Sequence, residues 1–199
     1  MEDNFKAWKA AVAEYGIDLK PDDYYPLEGL SVYELPKRFF GKYQVKLPDE
    51  KEVVQKKEKH YLQNHRFSLY PGAEELLELL RSKRIRLAVV TAALRGRLDR
   101  SLPQGFLQKF DAVVTGEEAP EGKPSPLPYL KGAEKLSLKP RDCIVVENAP
   151  LGIESAKKAG AYCIAVASTV DKQYLKEADE VCDSLEGVKE SQRIRELLQ

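Results

Sequence analysis

Through the first third of the chain, apolar residues recur at helical spacing. Phe5, Trp8, Val12 and Tyr15 share one face, and Gly16 stands where that helix would stop. Ser31 with Glu34 three residues on has the form of a capping box and predicts a second helix, although Pro36 follows closely. A third helix is expected from Asp49 to about His65. Nothing before Tyr70 reads as a strand, so residues 1–69 are expected to form a small all-helical unit, with Trp8 as its packing anchor.

After Tyr70 the pattern alternates. Leu76, Leu77, Leu79 and Leu80 mark a helix, and Ile85 to Thr91 is a short β-rich apolar run of the kind buried on both faces in a parallel sheet. Ala112 to Thr115, Cys143 to Glu147, Tyr162 to Ala167 and the weaker Glu180 to Cys182 are further strand candidates, with helical segments between them. Residues 70–199 therefore read as a doubly wound α/β core with a parallel sheet.

Ligands bind such sheets at the carboxyl edges of the strands. Three edges carry chemistry: Val89-Val90-Thr91-Ala92, Gly122-Lys123-Pro124-Ser125-Pro126, and Val145-Val146-Glu147-Asn148-Ala149-Pro150-Leu151-Gly152. Each also has a plain reading. A threonine at a strand end can be a structural cap, a lysine beside glycine and proline a solvated loop residue, and Glu147 with Asn148 the cap of the helix that Pro150 opens.

Composition narrows the partners. The 199 residues carry 32 basic and 32 acidic side chains, interspersed, so no net charge draws the chain to nucleic acid or a membrane. No apolar run approaches the ~18 residues of a membrane span, and Met1 opens onto acidic and polar residues unlike a signal peptide. The expected address is cytoplasmic, the expected partner a small molecule, and the expected state a monomer or weak homodimer. Cys143, Cys163 and Cys182 lack the close spacing of a metal or redox site and read as buried, inert thiols; His60 and His65 read as solvated.

In their order and company the three edges resemble the haloacid dehalogenase superfamily, in particular the branch holding β-phosphoglucomutase and related sugar-phosphate phosphatases. Thr91 matches its second motif and Lys123 the lysine of its third. Glu147-Asn148-Ala149-Pro150-Leu151-Gly152, with Ala159-Gly160 downstream, matches its fourth. Phe5 to Lys9 resembles the opening helix of the family's mobile cap, and Tyr70-Pro71-Gly72 the return to the core. The resemblance implies a magnesium-dependent phosphatase acting on a small phosphorylated metabolite through an aspartyl-phosphate. Lys123 would bridge nucleophile and phosphate, Thr91 would donate to a phosphoryl oxygen, and Glu147 and Asn148 would hold Mg2+. Asn4, Lys57 and Ala92 would border the substrate, although Lys57 sits in a lysine-rich stretch that also reads as solvated surface.

The family's first motif, Asp-x-Asp-Gly, is expected upstream of Met1, on a central strand between those ending at Thr91 and Glu147. Asp3 reads as a surface or helix-capping residue instead. Two explanations follow: a start at an internal methionine of an ordinary phosphatase, which the retained site residues favour, or a non-catalytic relative that binds a phosphorylated ligand or partner. A third reading, a phosphosugar mutase, is disfavoured. The positions that would serve its second phosphate are Asn4, Val32, Ala93 and Leu94, and all differ from the mutase pattern. In place of aspartate, Asn148 lowers the negative charge available to a metal.

Overall fold

The computed structural model describes residues 2–199; Met1, on which the reading of an internal start rests, lies outside them. Helix α1 (Glu2–Ala13) buries Ala7, Trp8, Ala11 and Val12 along α4 (Glu50–Asn64), which answers with Val53 and Val54. Asp49 caps α4 as its sequence suggests, its side chain accepting the Lys51 N–H at 2.9 Å. Between them, a short α2 (Pro21–Tyr24) and a 3-10 turn (Tyr25–Leu27) lead to α3 (Glu34–Lys42). Trp8 meets Phe39 edge to face at 5.6 Å, and with Phe40, Ile17 and Leu19 they form one apolar cluster. Burying a side chain of this size contributes about 1.5–3 kcal/mol, which is how a helix as polar as α4 is held in place.

Helix α3 departs from expectation at its start. Tyr33, not Ser31, is the N-cap, and the Ser31 hydroxyl accepts the Tyr33 N–H at 3.4 Å. Pro36 does not interrupt the helix, because it lies in the first turn, where an N–H has no helical partner to lose.

The second half alternates as its apolar runs predict: α5 (Ala73–Ser82), β1 (Ala88–Val90), α6 (Arg95–Ser101), β2 (Ala112–Val114), α7 (Leu127–Lys135), β3 (Ile144–Glu147), α8 (Pro150–Ala159), β4 (Tyr162–Val166) and β5 (Glu180–Cys182), then α9 (Leu185–Val188) and α10 (Gln192–Leu198). All strand pairs are parallel, so the fold is α/β with helices filling the crossovers. The strands form two sheets, one of β1 and β2, the other in the order β3-β4-β5. Cys163, Ile164, Ala165 and Val166 of β4 are buried, as a central strand requires.

The run Ile85 to Thr91 is not buried on both faces. Its strand is only Ala88–Val90, all three residues half-buried. Among the described residues β1 pairs with β2 alone and β3 with β4 alone, so each keeps one unpaired edge, and Val146 on β3 is 40% exposed. Cys163 is buried and Cys143 and Cys182 half-buried, all three free. Burial raises each thiol, Cys163 to about 12, and leaves them protonated and inert at neutral pH.

Candidate functional site

Thr91, Lys123 and Glu147 all follow from where strands and loops end. Thr91 directly succeeds β1, its N–H donating to the Val114 carbonyl at 3.0 Å, and its hydroxyl accepts the Ala93 N–H at 3.1 Å. That turn fixes the side chain while leaving the hydroxyl proton to donate elsewhere.

Lys123 sits in the loop before α7, followed by a cis peptide to Pro124, and is 8% exposed. Its ammonium pairs with the Glu147 carboxylate and lies 5.0 Å from the Tyr129 ring centroid. The loop is pinned from two sides. Lys123 N–H donates to the Gly29 carbonyl at 3.2 Å, and the Ser155 hydroxyl on α8 donates to the Ser125 carbonyl at 2.6 Å. At Gly122 (φ +63°) a Cβ would overlap the backbone of Ser31, so glycine there permits both the turn and the close approach.

Glu147 ends β3 and is 8% exposed. Besides Lys123 it accepts the Tyr129 hydroxyl at 2.7 Å and the N–H groups of Asn148 and Ala149 at 2.8 and 3.0 Å. Burial pushes this carboxyl up, but Lys123, Tyr129 and the Ala149 N–H outweigh it and hold it below the usual range. A Cβ on Gly152, in the first turn of α8, would overlap the same carboxylate. Tyr129, whose own hydroxyl is raised well above its ordinary value by burial and then by Glu147, had no signal in the sequence beyond standing on α7.

Asn148 offers a neighbouring amide, its Nδ2 3.5 Å from Ser168 Oγ and its backbone carbonyl accepting from Thr169 Oγ1 at 3.2 Å. Glu147 and Asn148 supply hard oxygen donors side by side, the chemistry magnesium prefers. Among the described residues no group of three or more His, Cys, Asp or Glu side chains is disposed to hold a metal.

The remaining candidates separate. Ala92 is half-buried, its carbonyl against Gly116. Asn4 Oδ1 accepts from Arg97 Nη1 at 2.7 Å and lines a cavity of about 390 Å³ with Tyr61 and His65. Lys57 is not a solvated residue: it is 1% exposed, donates to Glu58 at 2.9 Å and lies 5.6 and 5.1 Å from the Trp8 and Tyr61 rings. His65 is not solvated either. It stacks on Tyr61 at 4.6 Å, and its Nδ1 meets Asp3 Oδ2 at 3.3 Å. Asp3 lies in the first turn of α1, its side chain 46% exposed beside His65, and so is a surface residue rather than a cap. His60 keeps to the surface beside Glu14 at 3.3 Å.

A family model described as haloacid dehalogenase-like hydrolase matches residues 2–166. The chain is similar to the validoxylamine A 7'-phosphate phosphatase of Streptomyces hygroscopicus subsp. limoneus, 38% identical over 119 residues covering 59% of this chain and 56% of that protein. It is also similar to hexitol phosphatase A of Escherichia coli, 39% identical over 118 residues covering 59% and 55%. The chain thus spans about half the length of these curated relatives. A solved structure of β-phosphoglucomutase from Clostridium difficile shares the fold at a TM-score of 0.84, with 25% identity over 99% of this chain and 90% of that one.

Proposed function

The chain belongs to the haloacid dehalogenase-like hydrolase family, and from that premise we propose that it belongs to a magnesium-dependent phosphatase for a small phosphorylated metabolite, a sugar phosphate. The observation that carries this reading is the buried pairing of Lys123 with Glu147 at the carboxyl end of β3, with Thr91 ending β1. A buried ammonium at a strand end is suited to gathering phosphoryl oxygens, whose charge is the main obstacle to attack by a carboxylate.

In this proposal an aspartate carboxylate, carried on a segment outside residues 2–199, attacks phosphorus. The ester oxygen leaves with a proton from a second aspartate, and water then hydrolyses the acyl phosphate to return the carboxylate and inorganic phosphate. Lys123 neutralises the attacking and transferred groups, and Thr91 donates to an equatorial oxygen. Glu147 and Asn148 would hold the Mg2+, which supplies further charge neutralisation when bound. The helical residues 2–69 act as a cap over the core, with Asn4, Lys57 and Ala92 toward the substrate. The unpaired edges of β1 and β3 support a place for the nucleophile's strand between them.

Hydrolysis is favoured over a mutase cycle because Val32 and Ala93 are buried apolar residues and Asn4 is committed to Arg97. No helix among the described residues is long and apolar enough to cross a membrane. The proposal adds a cytoplasmic address, no nucleic-acid or membrane partner, and a monomer or weak homodimer. A phosphate-ester screen with magnesium, on residues 1–199 and on a chain extended by an Asp-x-Asp-Gly strand, is expected to give turnover only in the extended form. Clear turnover by residues 1–199 would refute the placement of the nucleophile. Phosphate binding without turnover in both forms would favour the non-catalytic relative.

A further inference from the structure

The helical half and the sheet half have separate cores. Among the described residues, the apolar cluster of helices α1 to α4 takes only Leu94 from beyond residue 69, and the two clusters around the sheets take nothing from before it. Two polar contacts join the halves. One is the bond from the Lys123 N–H to the Gly29 carbonyl, with Gly122 against Ser31. The other is Arg97 on α6.

The Arg97 side chain, 11% exposed, crosses from the sheet half into the helices. Its Nη1 donates to Asn4 Oδ1 of α1 at 2.7 Å, its Nε stands 3.8 Å from Glu58 Oε2 of α4, and its guanidinium lies 4.7 Å from the Tyr61 ring centroid. Four charges gather in this seam. Lys57 donates to Glu58 Oε1 at 2.9 Å, while Oε2 of Glu58 and Oε2 of Glu28 are buried without a hydrogen bond. Burial raises the Glu28 carboxyl, and Tyr24, Lys57 and Arg97 pull against that rise. Two cations thus balance two carboxylates.

Without Arg97, Lys57 alone would face both carboxylates, and a buried carboxylate stripped of its cation is strongly destabilising. Unfolding is not needed to relieve it. Because the cores are separate, parting the halves lets water reach Glu28 and Glu58 with the apolar clusters intact, a local opening in place of a global one. Glu28 immediately precedes Gly29, so the parting that hydrates its carboxylate also breaks the bond that holds the Lys123 N–H.

We propose that Arg97 is a positioning residue for Lys123: by balancing Glu28 and Glu58 it keeps the helical half seated on the Lys123 loop. It acts through the seam and through Gly29. The inference goes beyond the phosphoryl-transfer reading and does not depend on it.

The test is amide hydrogen exchange followed by NMR on residues 1–199, without phosphate or metal. The Lys123 N–H reports the seam, because its hydrogen bond crosses it, and the amides of buried β4 report global unfolding. In Arg97→Gln the Lys123 amide is expected to exchange at least ~10-fold faster while β4 is unchanged. Arg97→Lys keeps the charge without the guanidinium fork and is expected to restore most of the lost protection. Arg95→Gln on the same helix, whose ion pair with Asp99 stays within α6, should match the wild type. Adding Glu28→Gln to Arg97→Gln restores the charge balance and is expected to slow Lys123 exchange again. Unchanged Lys123 exchange in Arg97→Gln, equal acceleration at Lys123 and β4, or no recovery in Arg97→Lys overturns the inference. If Arg97→Gln alone does not fold, a folded double variant with Lys123 protected supports the inference, and an unfolded one overturns it.

Discussion

Lys57 shows how far a single side chain can depart from its neighbourhood in the sequence. Lys51, Lys56 and Lys59 around it are solvated or half-buried, and the charge density predicts the same for Lys57; yet α4 turns this position onto Trp8. Burial, then the charge of Arg97, lower its ammonium to about 8 against the opposing pull of Glu58. Below pH 8 the lysine is charged in both folded and unfolded chains, and the full cost of burying it is present. Between about 8 and its ordinary value of 10.5 the folded protein releases the proton first, so the unfolded chain binds more protons and stability rises with pH. The rise is on the order of 3 kcal/mol. Urea unfolding across this window should show the slope in the wild type and its loss in Lys57→Met; equal slopes would contradict the burial. At the same scale, the strand-end positions of Thr91 and Glu147 were legible because short apolar runs mark where strands stop. Tyr129, Arg97, Glu58 and Glu28 were not, since their roles depend on what faces them across the fold.

Among the elements, the five strands were legible within a few residues because short β-branched runs punctuated by glycine and proline have few other uses. Short α2 was invisible because four residues carry no period. The start of α3 was misread because a serine three residues before a glutamate is also the form of a local serine turn. The consequential contact between elements is the loop Gly29 to Ser31 against Gly122-Lys123. Gly122→Ala would strain a left-handed backbone and push on Ser31, so about 1–3 kcal/mol of destabilisation and weaker phosphate binding are expected. Gly16 (φ +79°) has open space around its missing Cβ. Gly16→Ala should therefore carry the backbone strain alone, with phosphate affinity unchanged. Equal phosphate affinities in both variants would show that the loop contact does not reach the site.

For the whole molecule, the parallel character of the sheets was legible and their separation into two was expected only through the family resemblance. Period-2 and apolar-run patterns say which segments are strands but not which edges pair. The unpaired edges of β1 and β3 present backbone groups ready to accept a strand from another chain. Residues 1–199 alone are expected to associate further as concentration rises in sedimentation velocity, and Val146→Lys on the exposed face of β3 should reduce it. A strictly monomeric chain at all concentrations would show that these edges are shielded. The bond from Lys123 N–H to the Gly29 carbonyl has a wider meaning at this scale. The helical half reaches into the sheet half and holds the backbone at Lys123, so in the proposed function it is a wall of the site as much as a cover for it. Tilting those helices would retune the reach of the lysine itself, and the arrival of a substrate body between them would be felt at the phosphoryl end through main chain alone.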